Sequence, residues 1–472
     1  METAARTRDE AVGYNFRPVE RDQQYLMPAS LREWLPDDDL AWLVLDAVDQ
    51  MDLGPIYARY RSDGWGAPAF EPAMMTALLL YAYATGERSS RRIEARCRRD
   101  IAYRVICANQ TPDHATIARF RADHEAALGQ LFTEVLRLCA AAGLCKLGLV
   151  AIDGTKLAAD ASPDANRPAD ALDAEIRRIL DEAAAVDAAE DAEYGSDRRG
   201  DELPADLADR GSRLARLREA RRQLAEADAE RQRRSEAQQT RQAERLARGE
   251  RPGRAVNPDA EHRRRWVERN TTDPDSRMML GGSGWVQGYN GQAVVAEDGL
   301  ILAAELTQAP GDAEQLVPLV EATKANLRAA GVRGRIGTLL ADTGYWSQAN
   351  FEAVETVGRT RLLIPPRRGP RPGSPHPPRP GAERMRRRLA RAPDRARYNR
   401  RSVIVEPVFG QIKEIRGIRR FRRRGFGACA SEWRLICAGH NLLKLWRMGR
   451  ASRPPSPPPR ARWIDRRQDR QP

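Results

Sequence analysis

Lysine is nearly absent from this chain. The 472 residues include 79 basic side chains, and all but five of these are arginine. A lysine that remains under such a bias is favoured where a compact ammonium cannot be replaced by a planar guanidinium. Two of the five, Lys156 and Lys413, lie inside the motifs described below, and the complete set is Lys146, Lys156, Lys324, Lys413 and Lys444.

Closely spaced cysteines and long apolar runs are also missing. The six cysteines form no CxxC pair, and no apolar run approaches 18 residues. The spacing of Cys429, Cys437 and His440 does not suit zinc, and a fourth ligand is missing, so we expect buried thiols. The absence of a signal peptide completes a pattern typical of a reduced, soluble, cytoplasmic protein without a membrane partner.

Positive charge is abundant and unevenly distributed. The net charge is +13, and positions 367–424 hold many arginines and few acids. Such a surface fits a polyanionic partner, because neutralising phosphates releases counterions and drives association. The alternative is a basic surface that serves only solubility.

The N-terminal part has helical periodicity. We predict disorder over residues 1–14 and a helical DNA-binding domain over 15–144, with a buried helix from Pro72 and a capped helix start at Thr111 or Asp113. A small helical unit that carries a basic helix is typical of modules that enter a DNA groove.

Buried strands that end in aspartate follow. The apolar run from Lys146 predicts a strand ending at Asp153, and residues 335–342 predict a second strand ending at Asp342. Between them, residues 285–306 read as a hairpin that turns at an Asp-Gly pair, and Asp312 is a candidate cap for the next helix. Acids at strand ends face a common crevice in α/β sheets.

Three segments differ in composition from this core. Residues 165–270 form a charged stretch with helical leucine stripes, which predicts a helical-hairpin insertion that projects from the body. Residues 365–397 read as a linker rich in proline and arginine, and residues 449–472 as a disordered basic tail. The catalytic unit is therefore predicted over 145–164 and 271–448.

A third acid, Glu406, lies in an arginine-rich segment. Glu406 and Lys413 are seven residues apart, which places both on one face of an α-helix. Pro407 lacks an N–H and disfavours helical geometry at the residue before it, so we expect the helix to start or kink there. The alternative is an amphipathic helix with a surface glutamate.

The predicted order of strands and helices lets Asp153, Asp342 and Glu406 converge at one end of a mixed sheet. Three neighbouring acids repel one another unless cations occupy the site. Oxygen ligands without nearby histidine or cysteine favour Mg²⁺, or Mn²⁺, over zinc. A pair of such ions can hold the attacking and leaving oxygens of an in-line phosphoryl transfer.

Four stretches, in this order, resemble the DDE transposases of bacterial insertion sequences. They are Ala151-Ile-Asp-Gly-Thr-Lys156, Asn270-Thr-Thr-Asp-Pro-Asp-Ser-Arg-Met278, Ala341-Asp-Thr-Gly-Tyr-Trp346 and Val405-Glu-Pro-Val-Phe-Gly-Gln-Ile-Lys413. The region from Tyr81 to Phe120 also resembles the helical domain that precedes the core in one transposase group. The resemblance implies an α/β fold: a ribonuclease-H-like mixed sheet flanked by helices, after an all-α domain.

The resemblance also implies functions for individual residues. It assigns Asp153, Asp342 and Glu406 to metal binding and catalysis, and Tyr398, Arg401, Lys413 and Lys156 to contacts with DNA. Four residues separate Arg401 from Glu406, where the Tyr-Arg-Glu-Lys signature of the family usually has three. The implied partners are double-stranded transposon-end and target DNA and a second copy of the chain, at the bacterial nucleoid.

The implied reaction is Mg²⁺-dependent cleavage at the element's ends followed by strand transfer into target DNA. The competing interpretation is a DNA-binding descendant of a transposase that no longer cuts. A glycosidase with two carboxylates explains neither the arginine excess nor the order of the three acids. A coiled-coil scaffold explains only residues 165–270.

Overall fold

A computed structural model describes residues 30–60, 68–194, 212–249, 268–282, 284–366 and 380–451. The predicted N-terminal disordered segment, most of the predicted tail and the first part of the predicted linker lie outside these ranges. None of the described helices is long and apolar enough to cross a membrane.

The described residues of the N-terminal part form seven helices, after a short 3₁₀ turn at Leu31–Glu33. They are α1 (Leu40–Asp49), α2 (Gly54–Tyr57), α3 (Pro72–Ala84), α4 (Ser90–Arg99), α5 (Ile101–Ile106), α6 (His114–Asp123) and α7 (Glu125–Ala141). Helix α3 is buried almost all round, as its uniformly apolar sequence predicts. Of the two candidate caps, Asp113 is the N-cap of α6, because its carboxylate accepts from the Thr116 N–H at 2.8 Å.

The sheet is mixed. Its strands are β1 (Leu149–Ala158), β4 (Arg277–Gly281), β5 (Gly284–Ala296), β6 (Ile301–Thr307), β7 (Thr338–Leu340) and β8 (Arg361–Leu363); β2 (Asn166–Arg167) and β3 (Arg269–Asn270) form a separate pair. The order is β4-β5-β1-β7-β8, with β6 also paired to β5. Strand β1 is antiparallel to β5 and parallel to β7, which is parallel to β8. This confirms the predicted ribonuclease-H-like α/β fold after a helical region.

Two strand boundaries differ from the prediction. Strand β1 does not end at Asp153 but continues to Ala158, because residues after Asp153 keep pairing with β5 as far as Ala158 with Gly288. Strand β7 is shorter than residues 335–342 and ends at Leu340, so Asp342 lies beyond it. The hairpin between β5 and β6 is as predicted, and Gly299 in its turn has a φ of +79°.

The insertion contains α8 (Ala169–Tyr194) and α9 (Arg213–Ala247), which pack through a small apolar core. This core consists of Leu172, Leu217, Ala220 and Leu224, with Ile176 and Ile179 at its margin. Leu180, which follows directly after Ile179 in the sequence, is exposed. Nor does the insertion only project outward, because Gln223 of α9 accepts a hydrogen bond from Arg277 of β4 at 2.9 Å.

Helices also replace most of the predicted linker that the structure describes. After α10 (Leu316–Ala329) and α11 (Gln348–Phe351), α12 spans Pro380–Leu389 and α13 spans Ala392–Gly410. Helix α13 continues through Pro407 and into a π-helical turn at Gln411–Ile415, so no helix starts at Glu406. Pro407 removes one backbone hydrogen bond, but several hydrogen-bonded turns of the helix precede it.

Helix α14 (Phe426–Ala451) joins the helical part to the sheet by packing against α3, α7 and β6. On the sheet side, Asn441 accepts from the Ile301 N–H at 2.9 Å and donates to its carbonyl at 2.8 Å. On the helical side, Glu432 forms a buried ion pair with Arg88 at 2.8 Å.

Candidate active site

Asp153 stands where β1 extends past its parallel neighbour. The last pair between β1 and β7 is Ala151 with Leu340, so the side of β1 next to Asp153 is open. Arg401 of α13 donates from Nη1 to Asp153 Oδ2 at 2.8 Å, and the Gly154 N–H donates to Oδ1 at 2.9 Å. Burial raises the pKa of Asp153, and the Arg401 charge acts in the opposite direction.

Asp342 lies beside Asp153, in the loop after β7. It is the N-cap of the 3₁₀ turn Thr343–Tyr345, and its Oδ1 accepts from the Gly344 N–H at 2.8 Å. The negative charge of Asp342 contributes to the raised pKa of Asp153. The structure therefore brings together two of the three acids predicted from the sequence.

A further acid, Asp312, belongs to the same cluster. Its Oδ1 accepts from the side-chain amides of Asn290 and Gln292, both at 2.8 Å, and lies 3.8 Å from the Lys156 ammonium. It makes no side-chain cap to the helix that follows, contrary to the prediction, because the two buried amides of β5 hold its carboxylate.

Two glycines show how closely Asp312 approaches the other acids. A Cβ atom at Gly154 would lie 3.0 Å from Asp312 Oδ1 and 2.5 Å from Gln292 Nε2. A Cβ atom at Gly344 would lie 2.9 Å from Asp342 Oδ1 and 3.5 Å from Asp312 Oδ2. Both positions therefore require glycine for space rather than for backbone conformation.

Tyr345 is buried among the three aspartates. Its hydroxyl donates to Gln292 Oε1. Burial raises the pKa of Tyr345, and the charges of Asp312, Asp153 and Asp342 act in the same direction. Sequence reasoning missed this arrangement, although polar residues at alternate positions of a buried strand, Asn290 and Gln292, are a recognisable signal.

The residues implied for DNA contact lie around this cluster. Tyr398 is half-buried, with a pKa that burial raises and a hydrogen bond to Arg401 opposes. Lys413 Nζ donates to the Lys156 carbonyl at 3.1 Å, and burial lowers the pKa of both lysines. Both ammonium groups are thus turned toward protein atoms.

Glu406 is exposed on α13, and among the residues that the structure describes it forms no hydrogen bond or ion pair. Lys413 contacts β1 through the Lys156 carbonyl, and it lies in the π-helical turn at Gln411–Ile415. Across the described ranges, no group of three or more histidine, cysteine, aspartate or glutamate side chains is placed to hold a metal ion.

The motif from Asn270 to Met278 supports the sheet. Asn270 Oδ1 accepts from the N–H groups of Thr272 and Asp273 at 3.0 and 3.1 Å. The buried Asp273 carboxylate accepts from the Tyr289 hydroxyl at 2.8 Å and from the Gly425 N–H at 3.2 Å. These contacts tie the end of the insertion to β5 and α14.

Comparison with protein families decides what kind of protein this is. Residues 29–123 match a transposase domain (DUF772), and residues 267–442 match a transposase DDE domain. Together the two matches cover more than half of the chain. No curated protein and no solved structure matches it.

The chain belongs to the insertion-sequence DDE transposases. The first match covers helices α1 to α6 and the second covers Asp312, Asp342 and Glu406. Asp153 precedes the second match, but the register of β1 with β5 and β7 brings it to the same end of the sheet.

Proteins of the transposase DDE class use divalent metal ions. The donors beside the central strands fit a hard cation, because Asp153 and Asp342 offer carboxylate oxygens. Asn290 contributes a further oxygen, since its Oδ1 is buried without a hydrogen-bond partner and would lie 2.8 Å from a Cβ at Gly154. The transposase thus presents an oxygen-rich crevice, with Glu406 on the neighbouring helix.

Proposed function

We propose that this transposase cuts double-stranded DNA at the ends of its insertion sequence and joins those ends to target DNA. The proximity of Asp153 and Asp342 beyond the end of β7 carries the proposal. In the first step water attacks a phosphorus atom and the 3′ oxygen leaves. In the second step that 3′-hydroxyl attacks a phosphodiester of the target, whose own 3′ oxygen leaves.

Asp153, Asp342 and Glu406 are the residues that we propose hold Mg²⁺, or Mn²⁺, during these steps. When bound, the ions supply charge stabilisation for the attacking and leaving oxygens. The protein positions the acids: Arg401 and the Gly154 N–H hold Asp153, and the Gly344 N–H holds Asp342.

Asp312 is proposed as a positioning residue. Asn290 and Gln292 fix its carboxylate, which in turn holds the Lys156 ammonium beside the acids. We propose that Lys156, Arg401, Tyr398 and Lys413 face the DNA backbone when the substrate is bound. Two copies of the chain, acting at the nucleoid, would bring two transposon ends together.

A second candidate is a transposase descendant that binds DNA without cutting it. Two observations favour it: the exposed Glu406 forms no hydrogen bond or ion pair among the described residues, and Arg401 is already paired with Asp153. A catalytic protein must therefore bring Glu406 toward Asp153 when DNA and metal bind.

Cleavage of DNA carrying the element's ends separates the two candidates. The experiment compares wild type with Asp342→Asn and Glu406→Gln, with Mg²⁺ or with EDTA. We expect all three proteins to bind the duplex and only wild type with Mg²⁺ to cut it. Normal cutting by Glu406→Gln would remove that residue from the site, and binding without cutting by wild type would favour the second candidate.

A further inference from the structure

A cavity lined by arginines lies away from the three aspartates. It has a volume of about 280 Å³ and is bounded by α9 of the insertion, by β3 and by the adjoining ends of β4 and β5. Its charged lining consists of four arginines and two glutamates: Arg231, Arg234, Arg269, Arg277, Glu230 and Glu268.

Arg269 is the most buried of these side chains, at 8% exposure. Its Nη1 donates to the Glu268 carbonyl at 3.1 Å, but its Nε is buried without a hydrogen-bond partner. Burial lowers the pKa of Arg269 to about 10, and the charges of Arg277 and Arg231 act in the same direction. A buried cation beside like charges is costly unless an anion joins it.

The described acids do not supply that anion. Arg269 and Arg277 form no ion pair with a described carboxylate, and the Arg277 guanidinium donates only to neutral acceptors, including the Pro274 carbonyl at 2.6 Å. Glu230 forms an ion pair with Arg234 at 2.8 Å. Glu268 accepts a hydrogen bond from Arg269 through its backbone carbonyl and not through its carboxylate. Arg269 and Arg277 therefore face the cavity without an ion-pair partner, although the charges of Asp275 and Asp273 act to raise the pKa of Arg277.

We propose that this arginine cavity binds a phosphate group, and that during the reaction this group is a backbone phosphate of the DNA. Phosphate binding is inferred from the cavity alone, whereas the identity of the group as a DNA phosphate rests on the proposed function. A guanidinium fork matches the geometry of phosphate oxygens. The volume lies just below the usual range of small-molecule pockets, which suits one phosphate with part of its sugar.

The sheet fixes how far this phosphate lies from the reacting one. Gln287 of β5 lines the cavity, whereas Ala293 of the same strand pairs with Asp153. That separation is roughly 20 Å at about 3.3 Å per residue. It corresponds to about six base-pair steps of a duplex. A duplex that runs along β5 would therefore place the contacted phosphate about six nucleotides from the scissile bond.

Binding measured in EDTA tests the site without requiring cleavage. The probe is a duplex of the element's end in which one backbone phosphate at a time is replaced by a neutral methylphosphonate. For wild type, we expect one position where this replacement weakens binding about tenfold, the size expected for a charge-assisted contact. For Arg269→Gln, the same replacement should have no further effect.

The double variant Arg231→Gln/Arg234→Gln gives an answer even if Arg269→Gln does not fold, because both residues lie on the insertion helix. Its matched control is Arg218→Gln/Arg241→Gln, which removes the same charge from exposed positions of that helix outside the cavity. We expect Arg231→Gln/Arg234→Gln to bind all the methylphosphonate duplexes equally well. The control should still bind one of them more weakly than the others. Equal losses from both would overturn the proposal.

Inorganic phosphate distinguishes a free anion from a DNA phosphate. Compared with chloride at equal ionic strength, it should raise the melting temperature of wild type more than that of Arg269→Gln. Stabilisation by phosphate without any sensitive position in the duplex would overturn the DNA part, and the absence of both would overturn the site. A sensitive position in a protein that never cuts would support the cavity and reject the proposed reaction.

Discussion

The Arg401 guanidinium lies 2.8 Å from Asp153 Oδ2 and thereby connects helix α13 to the central strand of the sheet. The two side chains are only 19% and 24% exposed. This pair positions the helix that carries Glu406 and also sets the charge of the crevice. If Arg401 contacts DNA as we propose, the same arginine serves both the structure without DNA and the reaction.

We expect Arg401→Gln to shift the acidic limb of the cleavage pH profile upward. Loss of the guanidinium removes the positive charge that contacts Asp153 directly and leaves the Asp342 charge beside it, so the pKa of Asp153 rises further and its ionised form requires a higher pH. Single-turnover cleavage rates at subsaturating Mg²⁺ measure this, because a bound cation would itself keep Asp153 ionised. Arg401→Lys keeps the charge and should shift less, and an unchanged limb in Arg401→Gln would contradict the expected coupling.

Asp312→Asn should separate DNA binding from DNA cutting. The change removes the negative charge 3.8 Å from the Lys156 ammonium, which becomes available to a phosphate. We therefore expect tighter duplex binding, with a salt slope steeper by about one, and a cleavage rate at least about tenfold lower. Glu314→Gln removes an equal charge from an exposed position nearby. If both variants behave alike, Asp312 has only a general electrostatic effect.

Glu432→Gln should lower the free energy of unfolding by about 3–5 kcal/mol. It leaves Arg88 buried without its partner, and a buried ion pair that loses one member is costly. The control is Glu414→Gln, whose pair with Arg419 is exposed and should contribute less than about 1 kcal/mol. Urea unfolding monitored by circular dichroism gives both values, and similar losses would show that burial does not govern the pair.

Buried His440 should make the protein less stable as the pH falls. Burial lowers the pKa of this imidazole from 6.5 to about 3, so the unfolded chain takes up a proton first. The stability it contributes is present above pH 6.5 and is lost as the pH falls toward 3, by up to about 5 kcal/mol. His440→Gln should flatten the curve of unfolding free energy against pH across this window. An identical slope in both proteins would contradict the prediction.

The positions of Asp153 and Asp342 could be predicted, because each follows a short apolar run and such runs are typical of strands buried in a sheet. The extension of β1 to Ala158 could not, since it depends on pairing with a distant strand, β5. Local rules also misread Asp312 as a cap, because the amides that hold it come from Asn290 and Gln292. Local rules also fail at Pro407. The helical turns from Ala392 onward outweigh the preference of the residue before proline for non-helical geometry.

Among the described elements, α14 is synthesised last, yet it packs against both α3 and β6. Until Trp433 and Asn441 have left the ribosome, the apolar surfaces of the helical part and of the sheet have no cover on this side. A nascent chain therefore completes this part of its fold only after α14 has been synthesised. A polypeptide that stops before residue 426 would expose these surfaces and become a substrate for chaperones and proteases rather than a partly active enzyme.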